Sequence, residues 1–180
     1  MQQELIGKAS GISDTDLQKA KVINRGAFDI VLKSNNAESL EIELTSYVKQ
    51  AVKDNPGSEK PAGMSEDDYL KMQVNQLSSP WMKFFIKYNP APILEKVTCP
   101  VLAINGEKDL QVPAKANLDA IKKALEKGGN INVTTKELSN LNHLFQECET
   151  GSPGEYEKIE QTFSPIALAE ISNWILKRVK

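Results

Sequence analysis

Pro100-Val101-Leu102-Ala103-Ile104-Asn105, followed at once by Gly106-Glu107-Lys108-Asp109, decides how the rest of the chain is read. The apolar run is short and nearly continuous. It lacks the polar alternation of a strand with one wet face, so it reads as a strand buried on both faces of a parallel sheet. Gly106 to Asp109 breaks it. A helix follows from about Pro113, with Ala116, Leu118, Ile121 and Leu125 inward, and it ends at Gly128-Gly129. Residues 132–138 read as a second strand of weak alternation, suited to a sheet edge. A polar loop through Gly151-Ser152-Pro153-Gly154 leads to a final helix, capped by Ser164 with Pro165 at its first position and with Ile171, Trp174 and Ile175 inward. Strand, helix, strand, helix in that order is a right-handed parallel α/β unit.

Upstream of Asn89-Pro90-Ala91-Pro92 the texture is helical. Ser13 can cap a helix whose apolar face is Leu17, Ala20, Ala27, Ile30 and Val31. A second helix carries Leu40, Leu44, Val48 and Val52, every fourth residue, and stops before Asp54-Asn55-Pro56-Gly57 and a polar run to Gly63. Ser65 with Asp68 opens a third helix as a variant capping box. Ser79-Pro80 opens a fourth, which is aromatic: Trp81, Phe84, Phe85 and Tyr88. The sparse apolar content of the first three suggests that each covers something else instead of packing into a bundle of its own. Two segments result, a helical one over residues 1–95 and an α/β one over residues 96–180.

Composition excludes several classes. Lys plus Arg is 22 and Asp plus Glu is 24 in 180 residues, a net charge of −2, which argues against a generic basic surface for nucleic acid. With 40% hydrophobic residues the chain can bury a core. No stretch approaches the ~20 apolar residues that span a bilayer. Met1-Gln2-Gln3-Glu4 has neither the basic start nor the apolar run of a signal peptide, and the compartment stays open. Two cysteines, Cys99 and Cys148, are too few for a disulfide scaffold or a zinc cage. His143 is the one histidine, so a multi-histidine metal site is excluded.

Functional side chains of open α/β sheets gather at the carboxyl ends of strands. Asp109 follows the first strand and His143 follows the second. Parallel neighbours put both loops on one edge of the sheet, so an Asp–His pair is geometrically natural. A carboxylate accepting Nδ1–H fixes the imidazole tautomer and stabilises the imidazolium when Nε2 takes a proton. Simpler roles stand beside this one: Asp109 as a turn residue before a helix, and His143 as a capping or packing side chain.

The string from Cys99 to Pro113 resembles the strand and loop that deliver the acid in α/β-hydrolase-fold serine hydrolases. Leu141-Asn142-His143-Leu144-Phe145-Gln146 is similar to the histidine loop of a bacterial esterase-like branch. Ser79-Pro80-Trp81 and Ser164-Pro165 extend the likeness, which covers the C-terminal half of that family. The resemblance implies Asp109 as triad acid, His143 as general base, residues 1–95 as a helical cap and residues 96–180 as the end of the hydrolase core. It implies carboxylic-ester hydrolysis without metal or organic cofactor, on a small-molecule ester whose acyl group could lie under Trp81, Phe84 and Phe85. Each of those aromatics also suits ordinary core packing.

The family's nucleophile sits in Gly-x-Ser-x-Gly on a strand-to-helix elbow. This sequence has no such motif. Gly7-Lys8-Ala9-Ser10-Gly11 places its serine one position late, and Gly11-Ile12-Ser13-Asp14-Thr15 and Gly63-Met64-Ser65-Glu66-Asp67 lack the second glycine. The expectation is therefore a fragment of the hydrolase fold that carries acid and histidine without the nucleophile. Inactive truncation product, binding scaffold and one half of a split enzyme are the alternatives. A strand at 100–105 without its usual neighbour is expected to self-associate, to pair with a missing N-terminal half, or to be covered by one of the N-terminal helices.

Overall fold

The computed structural model describes residues 1–54 and 61–179. The polar run expected after the second helix lies largely at residues 55–60, outside the described residues. The protein is mixed α/β and mostly helical, with a two-stranded parallel sheet. It divides into two compact units, residues 18–89 and residues 1–17 with 90–180. A short helix beginning at Ala91 packs with the α/β elements of the second unit, and residues 1–17 also group there.

The helical unit holds most of α2 (Asp14–Lys33), with α3 (Ala37–Asp54), α4 (Glu66–Ser78) and α5 (Pro80–Lys87). The stripe Leu40, Leu44 and Val48 packs with Ala27 and Val31 of α2 and Val74 of α4 as one core. Spacing of three and four brings such residues onto one helix face. Ala20, expected inward, is exposed. The side chain of Ser65 accepts from Asp68 N at 3.1 Å, and that of Ser79 from Met82 N at 3.2 Å, so both expected caps form. Gly26 admits a close approach: its missing Cβ leaves room for the Tyr47 ring, whose hydroxyl donates to Ile23 O at 3.0 Å.

In the α/β unit, α1 (Gln2–Ala9) is a helix that the sequence reading passed over. Then come α6 (Ala91–Leu94), β1 (Val101–Gly106), α7 (Ala114–Lys127), β2 (Val133–Leu138), a 3-10 turn at Pro153–Lys158 and α8 (Pro165–Val179). The strands are parallel, with Val101 opposite Val133 and Gly106 opposite Leu138. α7 packs on both strands through a face that includes Ala114, Leu118, Ala124 and Leu125, whereas Ala116 is exposed. Asn130 donates to Val97 O at 3.0 Å and to Cys99 O at 2.8 Å, tying the end of that helix to the entry of β1.

Three expectations need correction. The first three helices of the sequence reading do not each cover something else: their buried residues pack on one another as the core of the helical unit. β1 is not buried on both faces: Val101, Leu102 and Ile104 are half-buried, with β2 and α7 against the strand and Ile104 on the small core of Leu138, Leu141 and Ala167. In α8 the buried residue is Ala167, while Ile175 is 46% exposed. That helix meets the sheet through Trp174, which donates to Thr134 Oγ1, and through a Glu170–Lys136 ion pair, and so turns Ile175 outward.

Candidate active site

Asp109 and His143 come together at the carboxyl end of the sheet. His143 Nδ1 lies 2.9 Å from Asp109 Oδ2. Asp109 is 6% exposed. Its Oδ1 accepts the backbone N–H of Gln111 at 2.9 Å and of Val112 at 2.8 Å, an Asx-type turn that closes the loop after β1. Its Oδ2 is shared between His143 and the amide of Asn105 at 3.1 Å. Four donors around one carboxyl group are what an acceptor-only carboxylate satisfies. The turn role and the histidine-facing role thus coexist in one side chain, one oxygen for each.

In a neutral ring that donates Nδ1–H to Asp109, the other nitrogen, Nε2, carries the lone pair. His143 is half-exposed, and among the described residues nothing hydrogen-bonds Nε2. Asn142, fully buried beside it, shapes the loop: its Oδ1 accepts Leu144 N at 2.9 Å and Gln146 N at 3.0 Å, and its amide donates to Gln146 Oε1. Asn140 and Phe145 have φ of 60° and 57°, and Phe145 O accepts from Ser164 N at 2.8 Å. Phe145 meets Phe163 at 5.3 Å between ring centroids, which anchors the loop in the small core of Leu138, Leu141 and Ala167.

The sequence reading missed Asn105 and Asn117. Asn117 on α7 donates to Asn105 Oδ1 at 2.7 Å, and Asn105 donates to Asp109 and to Val112 O at 3.0 Å. A signal was present. Asn105 is in phase with Ala103 on β1, on the side facing α7, and Asn117 lies beside Leu118 on the inward stripe of that helix. A polar residue in a core phase calls for a polar partner.

Trp81, Phe84 and Phe85 lie on the other unit. They are 66%, 65% and 62% exposed, so core packing is corrected for all three. α5 turns Ile86 to the core and stacks its aromatics outward, Trp81 on Phe85 and Phe84 on Tyr88.

Compared with family models, curated proteins and solved structures, the chain matches none. The likeness of the acid and histidine strings therefore rests on those strings.

Neighbouring groups limit the chemistry. Burial, reinforced by the Glu155 charge, pushes the Cys148 thiol up against the pull of Lys108, which disfavours a thiolate nucleophile there. Burial also raises Tyr156, with the charges of Asp109, Cys148 and Glu155 adding to it against the hydrogen bond from Gln111. Among the described residues no cluster of three His, Cys, Asp or Glu side chains is placed to hold a metal, and no helix is long and apolar enough to cross a membrane.

The loop after the histidine carries its own pH dependence. Partial desolvation raises Glu155, but hydrogen bonds from Thr150 and Gly151 and the Lys108 charge outweigh it, so its pKa is lowered from 4.5. A depressed carboxyl contributes stability that is present above its unfolded pKa and is lost as pH falls through the folded one. The amides of Thr150 and Gly151 should therefore lose protection from hydrogen exchange only below pH 4.5, relative to their neighbours. Glu155→Gln should show weakened protection already at pH 7. Equal protection in both proteins at pH 7 would remove this role.

Proposed function

We propose that Asp109 and His143 are the acid and base of a serine esterase whose nucleophile lies on polypeptide outside these 180 residues. The observation that carries the reading is the Nδ1···Oδ2 contact of 2.9 Å, made by a buried carboxylate whose other oxygen is held by two backbone N–H groups. A carboxylate used only for the turn would not need to present its second oxygen to an imidazole.

In the reaction, His143 Nε2 takes the serine proton as Oγ attacks the ester carbonyl, and Asp109 stabilises the resulting imidazolium. The same proton passes to the leaving alkoxide. Water, deprotonated in turn by Nε2, then releases the acid and regenerates the serine. The oxyanion hole, usually the largest electrostatic contribution, comes with the nucleophile-bearing segment.

The 180-residue chain alone should give no stoichiometric serine labelling by a fluorophosphonate and no turnover of short aryl esters beyond that of equimolar imidazole. Coding sequence adjoining that of Met1, or a companion gene, should supply a Gly-x-Ser-x-Gly segment. Protein containing both parts should label at that serine, and His143→Ala should abolish labelling. Absence of such a segment, or labelling indifferent to His143→Ala, would overturn the proposal. Labelling of the 180-residue chain itself would locate the nucleophile within it and refute the outside source.

A further inference from the structure

We infer that Asn105, anchored by Asn117, is the positioning residue of the Asp109–His143 pair: it fixes the plane of the carboxylate so that Oδ2 keeps the imidazole in its Nδ1–H form. The two oxygens of Asp109 are held in different ways. Oδ1 is pinned by the N–H groups of Gln111 and Val112, both on the loop that carries Asp109 itself. Two donors at one oxygen locate that oxygen, yet the carboxylate can still pivot about it. A third fixed point, at Oδ2 and from another element, stops the pivot. His143 cannot be that point, since it is the group to be positioned and stands half-exposed on a loop of its own. Asn105 can. It is buried on β1, a strand paired to β2 along its length, and it donates to Oδ2 at 3.1 Å.

The amide of Asn105 has one satisfied orientation. Its Nδ2 donates to Asp109 Oδ2 and to Val112 O at 3.0 Å, and its Oδ1 accepts from Asn117 Nδ2 at 2.7 Å. Both hydrogens and the carbonyl are engaged. Turned over, the amide would set its oxygen against a carboxylate and a carbonyl, and its NH2 against that of Asn117. Asn117 secures the orientation from a third element. It lies in the first turns of α7, where its backbone N–H donates to Pro113 O at 3.0 Å, and that helix packs on both strands. Loop, strand and helix thus converge on one carboxylate. Among the described residues Asn117 hydrogen-bonds neither Asp109 nor His143, so it acts on the pair only through Asn105.

The catalytic meaning of this arrangement rests on the esterase reading, in which Nε2 must carry the lone pair for His143 to act as a base. The alignment itself needs no nucleophile. It is measured in the 180-residue chain, so failure here and failure of the esterase reading are told apart.

Nitrogen NMR of the single histidine, on the alkaline plateau of its titration, reports which ring nitrogen holds the proton. Exchange of Nδ1–H with water reports how firmly the carboxylate holds it. The parent should show the Nδ1–H form. Asn117→Asp sets an acceptor against Asn105 Oδ1, so the amide turns or withdraws from Asp109 Oδ2. The Nε2–H form should then appear, and Nδ1–H should exchange about tenfold faster, the scale of one hydrogen bond to a charged group. Asn117→Leu removes the anchor without adding a charge, and should act in the same direction with a smaller effect. If Asn105 only competed for the Oδ2 lone pairs, its withdrawal would strengthen the bond to His143 and slow the exchange. Slower exchange, or a proton distribution and exchange rate equal to the parent's in both variants, would overturn the inference. So would loss of amide protection in both variants at Val101 and Glu107, which donate to Asn132 O and Leu138 O across the sheet, for Asn117 would then be a packing requirement of β1.

Discussion

Asp109→Ala should destabilise the α/β unit by about 3 kcal/mol, although it removes only a few atoms. The change strands the N–H groups of Gln111 and Val112, the amide of Asn105 and Nδ1–H of His143. A donor left unpaired in a buried place costs about 1–3 kcal/mol, and water admitted to the vacated space recovers part of the sum. Asp109→Asn should cost less, because its carbonyl still accepts from the backbone. Its NH2 then faces the two former donors and favours the Nε2–H tautomer, the wrong one for a base. Urea denaturation in a Trp81→Phe background, followed by Trp174 fluorescence, measures both, since each unit holds one tryptophan. An Asp109→Ala protein within about 0.5 kcal/mol of its parent would show that the carboxylate is not organising this end of the sheet.

That carboxylate also marks how far the sequence could be read. The Asp109–His143 meeting was legible because parallel strands deliver the loops at their carboxyl ends to one side, and the intervening length suits one helix. The caps at Ser13, Ser65 and Ser79 were legible because an N-cap is a local event: Asp16 N, Asp68 N and Met82 N each return to a serine three residues back. Asn105 and Asn117 were missed because their partner is set by tertiary packing, and neither residue alone distinguishes a buried amide from a loop residue. The apolar texture of Val101 to Ile104 and of Trp81 to Phe85 misled in the opposite direction. Such runs report what a chain favours burying, whereas burial also needs something to lie on top. Among the described residues β1 has a strand on one side only, and α5 spends Ile86 on the core while its rings face solvent.

Gly106→Val should separate Asp109 from His143 without touching either. A Cβ built on Gly106 would sit 2.5 Å from Asn142 O and closer still to Leu141 O, both backbone atoms of the loop that presents the imidazole. Real Cβ contacts do not come so near, so the loop or the end of β1 must move. The loop has few ways to yield. Leu141 O is held by Lys108 N at 3.0 Å, Asn142 O by Phe145 N at 3.1 Å, and Leu141 is fully buried. Overpacking of this kind costs about 1–3 kcal/mol, and the branched valine makes the upper half of that range the expectation. Alanine at the same place should act in the same direction with a smaller effect. The single histidine makes the outcome easy to read, because every imidazole resonance belongs to His143. In the parent protein the Nδ1–H proton should be visible and strongly downfield, and the Lys108 amide should exchange slowly. In the valine variant that resonance should broaden into exchange with water and Lys108 should lose its protection, while amides of the helical unit keep theirs. A valine protein that retains the Nδ1–H signal at its parental position would mean that the loop can shift as a rigid piece. The glycine would then be a requirement of chain packing, and the geometry of the pair would be set by Asp109 and its backbone donors alone.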